Sequence, residues 1–262
     1  MLKSRLIPVL LLQNGLLVRS ELFSIHQVIG NPIHEVERFN EWNVDELIYL
    51  DITREGQYDL RRDDAIVKNM TSQLDILEAV SAASFMPLTW GGRIRTLDDM
   101  NARFQRGADK ITLNTAAIET PDLITTAALK FGSQAIVISI DVRLSADNRY
   151  EVVTAGGHTE TGKDPAEWAS EVQERGAGEI LLQSVDRDGT GSGYDLKLIE
   201  LVCDATTIPV IACSGMGSFD DYADCIEVGA SAAAAANIWH FKEMANRQGK
   251  RAMRQAKINV RM

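Results

Sequence analysis

The stretch AIVISID, residues 135–141, is the segment from which the fold can be inferred. It is a short apolar run rich in β-branched residues, and such a run is typical of a strand buried on both faces of a parallel sheet. The run ends in one carboxylate, Asp141. A charge at this place is either the N-cap of a following helix or a catalytic group, and the stretch alone supports both interpretations.

Seven further runs resemble this stretch, and helical patterns lie between most of them. The predicted strands are 5–12, 46–51, 86–90, 110–114, 135–141, 179–184, 208–212 and 232–236. The predicted helices include 32–42, 97–106, 121–131, 165–175, 196–202 and 219–228. This alternation favours parallel strands with right-handed crossovers, and eight such units in 262 residues predict an α/β fold, the closed (β/α)8 TIM barrel. A doubly wound open sheet is the alternative, but no GxGxxG pattern follows the first strand.

The second half of the chain repeats the first. The matching pairs of segments are VDELIYLDITREG (44–56) with AGEILLQSVDRDG (177–189), MPLTWGGRI (86–94) with IPVIACSGM (208–216), and RGADK (106–110) with VGASA (228–232). Such a repeat predicts two half-barrels of four βα units each, about 1–132 and 133–262, within a single domain. It also places the end of the first strand, near Leu11, opposite Asp141.

Composition limits the classes of function. A net charge of −10 and a pI near 5.0 disfavour nucleic acid as a partner, so a bound phosphate would have to be held locally by backbone N–H groups. The three cysteines have no paired or metal-type spacing, which fits free thiols in a reducing cytosol. The four histidines form no HxxH or HExxH pattern. We therefore expect a cytoplasmic protein without a metal site or a cofactor.

The N-terminal segment MLKSRLIPVLLLQNG (1–15) imitates a signal peptide. Its apolar run, 6–12, is only seven residues long and is stopped by Gln13, and no small-x-small cleavage site follows. We predict a first strand here. No later stretch approaches the roughly 18 apolar residues of a membrane span, so no membrane insertion is expected.

Small and polar residues stand at the C-terminal ends of the predicted strands, where barrels carry their active sites. The candidates are Asp51, Gly91, Gly92, Asn114, Thr115, Asp141, the DRDGT segment at 186–190, Ser214, Gly215, Ala236 and Asn237. Short side chains let backbone N–H groups approach an anion, and the repeat places two such sets opposite each other, with Glu55 equivalent to Asp188. A ligand with a phosphate at each end would span them. Each glycine is equally compatible with a simple turn, and DRDGT with a turn closed by its aspartates.

Two long loops, 13–31 and 144–164, follow the first and fifth predicted strands. Loops of this length are either functional lids or surface decoration. The second loop carries three glycines and a possible short hairpin strand at 150–154.

Four charged residues stand at the opposite, N-terminal ends of predicted strands: Arg5, Glu46, Lys110 and Glu179. Two cations and two anions at this level would ring the floor of the barrel and neutralise each other. The ring is either a structural network or a gate and docking site.

Several long segments resemble the HisF family, the cyclase subunits of imidazole glycerol phosphate synthase. They are VDELIYLDIT (44–53), RGADKITLNTAAIE (106–119), FGSQAIVISID (131–141) and GAGEILLQSVDRDGTGSGYD (176–195). The resemblance covers nearly the whole chain and implies a (β/α)8 barrel with two phosphate sites. It also implies a HisH-like glutaminase docked at the floor as the second subunit of a heterodimer, which delivers ammonia through the barrel.

The family's site residues carry over to matching positions of this chain. The ammonia gate falls on Arg5, Glu46, Lys110 and Glu179, and the partner interface on Asp109. Phosphate contacts fall on Gly91, Gly92, Asn114, Thr115, Asp188, Gly189, Gly215, Ala236 and Asn237. These positions predict a phosphorylated small-molecule ligand.

The chain departs from the family pattern at several positions. The family uses two aspartates as general acid and base, of which the second is Asp141, whereas the first position holds Leu11. A leucine transfers no protons. Arg19 replaces the lysine of the first lid loop, Arg93 replaces a third glycine, and region 55–85 is longer than usual. The chain has no Cys in a GxCxG elbow, so a glutaminase activity must come from a partner.

The segments LLLQNG (10–15) and FMPLTWGG (85–92) resemble a HisF-like subgroup associated with sugar amidation in surface polysaccharide pathways, such as lipopolysaccharide and O-antigen synthesis. There, a HisH-like glutaminase and the barrel supply ammonia to a separate sugar amidotransferase, which converts an acetamido to an acetamidino group. We expect this function first. The alternatives are the cyclase of histidine biosynthesis, which makes imidazole glycerol phosphate and AICAR from PRFAR and ammonia, and a non-enzymatic scaffold that activates the glutaminase.

Overall fold

The computed structural model describes residues 3–53 and 72–261. The strands in chain order are β1 (Arg5–Gln13), β2 (Leu16–Glu21), β3 (Ile25–Gly30), β4 (Leu47–Asp51), β5 (Leu88–Gly91), β6 (Lys110–Leu113), β7 (Ile136–Leu144), β8 (Tyr150–Thr154), β9 (Thr159–Glu160), β10 (Glu179–Ser184), β11 (Val210–Cys213) and β12 (Ala232–Ala235). Strands β1, β4, β5, β6, β7, β10, β11 and β12 pair in parallel, and the β12–β1 and β7–β10 pairings close them into a barrel. The fold is therefore the predicted (β/α)8 barrel, and the open-sheet alternative is wrong.

Helices surround the barrel. In chain order they are α1 (Pro32–Trp42), α2 (Gln73–Ala83), α3 (Leu97–Phe104), α4 (Thr115–Glu119), α5 (Asp122–Phe131), α6 (Pro165–Glu174), α7 (Leu196–Ala205), α8 (Asp221–Glu227), α9 (Asn237–Phe241) and α10 (Ala245–Gln255). The starts of several follow from side-chain caps: Asn31 and Asp164 each accept backbone N–H bonds ahead of a proline at the first helical turn. Across both described ranges, we find no helix with the length and apolar content to cross a membrane.

Buried apolar residues form two layers, as expected for a barrel. The larger cluster fills the space between the strands and the helices. The smaller one fills the barrel interior with alternate residues of the strands, among them Ile7, Ile48, Val137, Leu181 and Ile211. Because side chains alternate along each strand, the inward residues of one strand connect the floor of the barrel with its mouth, the C-terminal strand ends.

The prediction of a loop at 13–31 is wrong. Most of this segment is an antiparallel hairpin in which β2 pairs with both β1 and β3. Exposed apolar residues such as Ile25 and Val28 blur the alternation that would have revealed the strand. The hairpin strand at 150–154 is present as β8, and its pairing with β7 extends β7 beyond Asp141 to Leu144. Glu55, the expected counterpart of Asp188, and most of the long region 55–85 lie outside the described residues.

Candidate active site

A cavity of about 970 Å³ opens at the mouth of the barrel. Its volume lies at the upper end of the range of about 300–1,000 Å³ that is usual for small-molecule sites. Most of the predicted mouth residues line it, namely Leu11, Gly92, Asn114, Thr115, Asp141, Asp188, Gly189, Gly215, Ala236 and Asn237. Gly91 instead lies within β5, where an added Cβ would come 2.2 Å from the Thr112 side chain. The structure thus brings the predicted residues of both halves to one cavity.

Asp141 lies in the wall of this cavity and is 5% exposed. Ser139 Oγ and Gln183 Nε2 donate to Asp141 Oδ1 at 3.1 and 3.0 Å, and Gln183 Nε2 also donates to Ser139 Oγ. Burial raises the pKa of Asp141 from 3.8 to about 6, although these two hydrogen bonds oppose the shift. A carboxyl with this pKa can both accept and donate a proton near neutral pH, which suits a general acid–base.

Asp141 is not a helix N-cap. It lies inside β7, where it pairs with Val153 of β8 on one side and Gln183 of β10 on the other. The following residues continue as strand to Leu144. The N-cap interpretation of AIVISID is therefore wrong, and the catalytic interpretation stays a prediction.

The first half of the barrel presents an apolar surface at the equivalent place. Leu11 pairs with Leu50 across β1 and β4, as Asp141 pairs with Gln183 across β7 and β10. Both leucines line the cavity together with Val9. The repeat therefore sets Val9, Leu11 and Leu50 opposite Ser139, Asp141 and Gln183. At these equivalent positions, one half presents hydrogen-bonding side chains to the cavity and the other half presents apolar ones.

Glycine backbones shape the candidate phosphate sites. Gly92 has a φ of +95°, and an added Cβ would lie 2.1 Å from the carbonyl oxygen of Asp51. Gly215 has a φ of +91°, and its Cβ would lie 2.3 Å from the carbonyl oxygen of Gly193. Both positions line the cavity and admit no side chain, so their main chains are open to a ligand. Close approach to a ligand is therefore possible in both halves.

The β2–β3 hairpin covers the second half of the mouth through Asp188. Ser20 Oγ and the Phe23 N–H donate to Asp188 Oδ2 at 2.6 and 3.2 Å, and the Leu22 N–H donates to the Asp188 carbonyl at 2.9 Å. Burial raises the pKa of Asp188, and the bonds from Ser20 and Phe23 act in the opposite direction. In this structure the Asp188 carboxylate therefore holds the hairpin. Asn237 Nδ2 adds a bond to the Ser20 carbonyl at 2.9 Å.

Arg19 lies on β2 of the same hairpin. Its Nε donates to Gln27 Oε1 at 2.6 Å, and the side chain is not among the residues that line the cavity. The cavity is instead lined from the hairpin by Ser20, Phe23 and His26. The predicted lid position is thus occupied by a hairpin, with Arg19 on a different face from the cavity.

The four charged residues at the strand starts meet at the floor of the barrel. Arg5 Nη1 lies 2.6 Å from Glu46 and 3.0 Å from Glu179, while Lys110 Nζ lies 3.3 Å from Glu46 and 3.0 Å from Glu179. Burial lowers the pKa of Arg5, but the two carboxylates outweigh burial and raise it. Each anion therefore bridges both cations in a ring of alternating charge. Asp109, also at the floor, uses Oδ2 to accept from the Leu88 N–H at 2.8 Å.

Sequence reasoning missed Ser139 and Gln183 as site residues. Both residues could have been predicted from their positions in the sequence. Ser139 stands two residues before Asp141 and so shares its face of the strand, and Gln183 interrupts the apolar run EILLQS. Their bonding to each other and to Asp141 requires β7 and β10 to be neighbours, which the closed barrel provides.

Comparison with known proteins shows similarity along the whole barrel. A family model described as "Histidine biosynthesis protein" matches residues 5–245. The "Imidazole glycerol phosphate synthase subunit HisF" of Gluconacetobacter diazotrophicus is 40% identical over 261 residues, which cover 100% of this chain and 97% of that protein. The protein of the same name from Alkaliphilus metalliredigens is 41% identical over 264 residues and is matched over the full length of both chains. The similarity therefore includes both the floor and the mouth.

Proposed function

Because the chain belongs to the HisF family of histidine biosynthesis proteins, we propose that it is the barrel subunit of an ammonia-using synthase. The observation that carries the proposal is the layered interior of the barrel. An ion ring occupies the floor, small and apolar residues fill the middle, and Asp141 stands in the cavity at the mouth. Ammonia admitted at the ring would meet the ligand beside a group that can move protons.

We propose a HisH-like glutaminase as the source of ammonia, docked at the floor in a heterodimer. Both relatives are named as subunits, which supports a second chain. The floor carries Asp109 and the ring around Arg5, Glu46, Lys110 and Glu179 at the lower end of the barrel axis. Ammonia delivered from below would pass about four residues of strand, roughly 13 Å, from Lys110 to the level of Asn114.

The names of the relatives support imidazole glycerol phosphate synthesis as the reaction, in preference to sugar amidation, which the motifs LLLQNG and FMPLTWGG favour. In this reaction a ligand with a phosphate at each end would span Gly92, Asn114 and Thr115 in one half and Gly189 and Gly215 in the other. All of these residues line the cavity.

Asp141 would carry the proton transfers of this reaction. With a pKa of about 6, the carboxyl is mostly ionised at pH 7.5 and would first accept a proton from the attacking nitrogen. It would then return the proton to a leaving group. Ser139 and Gln183 both donate to one oxygen of Asp141, Oδ1, and so fix the orientation of the carboxyl.

One observation favours a second candidate, the amidation of a sugar. Leu11 is 8% exposed and packs with Val9 and Ile48 in the barrel interior, so the position equivalent to Asp141 holds no acid or base. A barrel of this kind could still pass ammonia to a separate sugar amidotransferase, which would convert an acetamido to an acetamidino group.

Complementation of a strain that lacks the histidine-pathway cyclase separates the two candidates. Growth with the wild-type chain and its glutaminase supports imidazole glycerol phosphate synthesis. Absence of growth with the wild-type chain, together with growth of the Leu11→Asp variant, supports sugar amidation, because the variant would restore a carboxylate opposite Asp141. Soluble expression of both chains, checked by gel filtration, is the control.

Replacement of Lys110 with Met tests the ring as an ammonia gate. The change leaves Glu46 and Glu179 with Arg5 as the only cation of the ring, and we expect a several-fold rise in glutamate formed per molecule of product. Both quantities are measured in the complex with glutamine as the nitrogen source. The matched control is Lys197→Met on the exposed face of α7. If Lys110→Met forms as much glutamate per molecule of product as wild type, the ring is not an ammonia gate. If the wild-type barrel stimulates glutamine hydrolysis but forms no product, the chain acts as a non-enzymatic scaffold that activates the glutaminase.

A further inference from the structure

Three inward positions at the mouth are polar in the second half of the barrel and apolar in the first. They are Ser139, Asp141 and Gln183, with Val9, Leu11 and Leu50 as their equivalents in the repeat. The strand registers correspond, because Asp141 lies beside Gln183 as Leu11 lies beside Leu50. Polar neighbours are therefore present in the half that has the carboxylate, and aliphatic ones replace them in the half that lacks it. This difference indicates that Ser139 and Gln183 serve Asp141.

Gln183 determines the direction of the hydrogen bonds around Asp141. Its Nε2 group carries two protons and donates to Ser139 Oγ at 3.1 Å and to Asp141 Oδ1 at 3.0 Å. Because Ser139 Oγ accepts from Gln183, its single proton is directed to Asp141 Oδ1, which lies 3.1 Å away. An ionised carboxylate accepts both bonds, whereas a proton on Oδ1 would face two donors. The arrangement therefore favours the ionised form of Asp141.

The titratable neighbours of Asp141 do not favour its ionised form. Within residues 3–53 and 72–261, the groups that face it from neighbouring elements are Asp188, which follows β10, and Cys213 of β11. Burial raises the pKa of Asp141, and the Asp188 carboxylate adds to this rise. The Cys213 thiol is neutral, because burial raises its pKa to about 12. The ionised carboxylate is instead favoured by neutral hydrogen-bond donors. They belong to Ser139, Gln183 and Asn114.

We propose that Gln183 is a positioning residue for Asp141, which turns the Ser139 hydroxyl towards the carboxylate and so keeps Asp141 ionised and ready to accept a proton. Packing does not require an amide at this position, since the equivalent place in the first half is filled by Leu50. A buried amide is costly unless it is hydrogen-bonded, and the bonds of Gln183 Nε2 go to Asp141 and to the hydroxyl that donates to it. This inference rests on the proposed role of Asp141 as the acid–base.

Titration of the Asp141 carboxyl, followed by its side-chain carbon resonance in the full chain, tests the proposal without requiring turnover. In Gln183→Leu, which takes the residue type of the first half, we expect the midpoint to lie about one pH unit above that of wild type, as for the loss of a hydrogen bond to a charged group. Ser139→Ala should also raise the midpoint. Ser139→Thr keeps the hydroxyl and should titrate like wild type.

The pH profile of turnover is the second readout, with ammonia supplied directly. The acidic limb of kcat/KM should move to higher pH by the same amount as the midpoint in Gln183→Leu and in Ser139→Ala. Well above both midpoints the carboxyl is ionised in every variant, so kcat/KM should approach that of wild type. A side chain that only packs in the wall of the cavity would lower kcat/KM equally at every pH.

The control variant is Gln255→Leu, at the exposed end of α10 and outside the cavity lining. It should titrate like wild type. If Gln183→Leu is folded and keeps the wild-type midpoint, the role of Gln183 is overturned. If it does not fold, the Ser139 pair decides, and equal midpoints in Ser139→Ala and Ser139→Thr overturn the proposal. If the midpoints shift as expected but wild type shows no turnover with ammonia, the positioning role is supported and the proposed reaction alone is wrong.

Discussion

Replacement of Asp141 with Asn is expected to lower the rate of the ammonia-dependent reaction by about 10²–10⁴-fold, the usual contribution of a positioned acid–base. The amide keeps the shape of the carboxyl and can still accept from Ser139 and Gln183, so the wall of the cavity should persist. Turnover is measured with ammonia supplied directly, which removes the glutaminase from the comparison. In wild type, kcat/KM should fall as the pH drops through about 6, and the variant should lack this limb.

The same substitution is expected to keep or raise thermal stability. The folded-state pKa of Asp141, about 6, lies above its ordinary value of 3.8, so the folded protein binds this proton more tightly than the unfolded chain. The contribution of Asp141 to stability therefore falls as the pH rises from about 4 to 6 and stays low at higher pH. At pH 7.5 the Asn variant should unfold at the same or a higher temperature, by an amount worth up to about 1–3 kcal/mol.

Asp147→Asn is the matched control, since Asp147 lies in an exposed turn. It should change neither turnover nor Tm. A turnover within threefold of wild type in Asp141→Asn would remove Asp141 from the chemistry. A loss of activity together with a Tm lowered by several degrees would assign Asp141 a structural role instead.

Replacement of Gly92 with Ala is expected to lower the free energy of unfolding by about 3 kcal/mol or more, near the upper end of single-residue effects. The added Cβ would lie 2.1, 2.8 and 2.9 Å from backbone atoms of Asp51, which belong to β4 and cannot move without breaking the barrel. The residue would also keep a φ of +95°, which disfavours every L side chain. Urea unfolding measures the change in stability. Binding of inorganic phosphate at the first-half site, around Gly92, should be lost as well.

Gly162→Ala separates the two causes. Gly162 has a φ of +70° with no atom within 4 Å of an added Cβ. The free energy of unfolding of this variant should therefore fall only by the cost of the backbone conformation, about 1–2 kcal/mol. A Gly92→Ala variant no less stable than Gly162→Ala would show that the turn after β5 adjusts easily, and that the close approach to Asp51 is not a constraint.

Much of the barrel could be predicted from local patterns. Buried parallel strands are continuous apolar runs, and therefore AIVISID and EILLQS mark β7 and β10 to within three residues. The hairpin at 13–31 could not be predicted in this way, because its outer strand is largely exposed and its tip is held by Asp188, 165 to 168 positions away in the chain. A contact between residues so far apart in the chain cannot be inferred from the local pattern of apolar and polar residues.

The sequence by itself determined the order of the eight barrel strands, the four charges at the strand starts and the presence of leucine where a second carboxylate was expected. These are properties of residue types at fixed positions along one strand or helix. Only the tertiary structure decided that Asp141 is bonded by Ser139 and Gln183, that Asp188 binds the hairpin, and that Arg93 takes a strained turn beside the cavity. Closure of the barrel brings these groups together, and their burial, hydrogen bonding and pKa depend on neighbours from other strands.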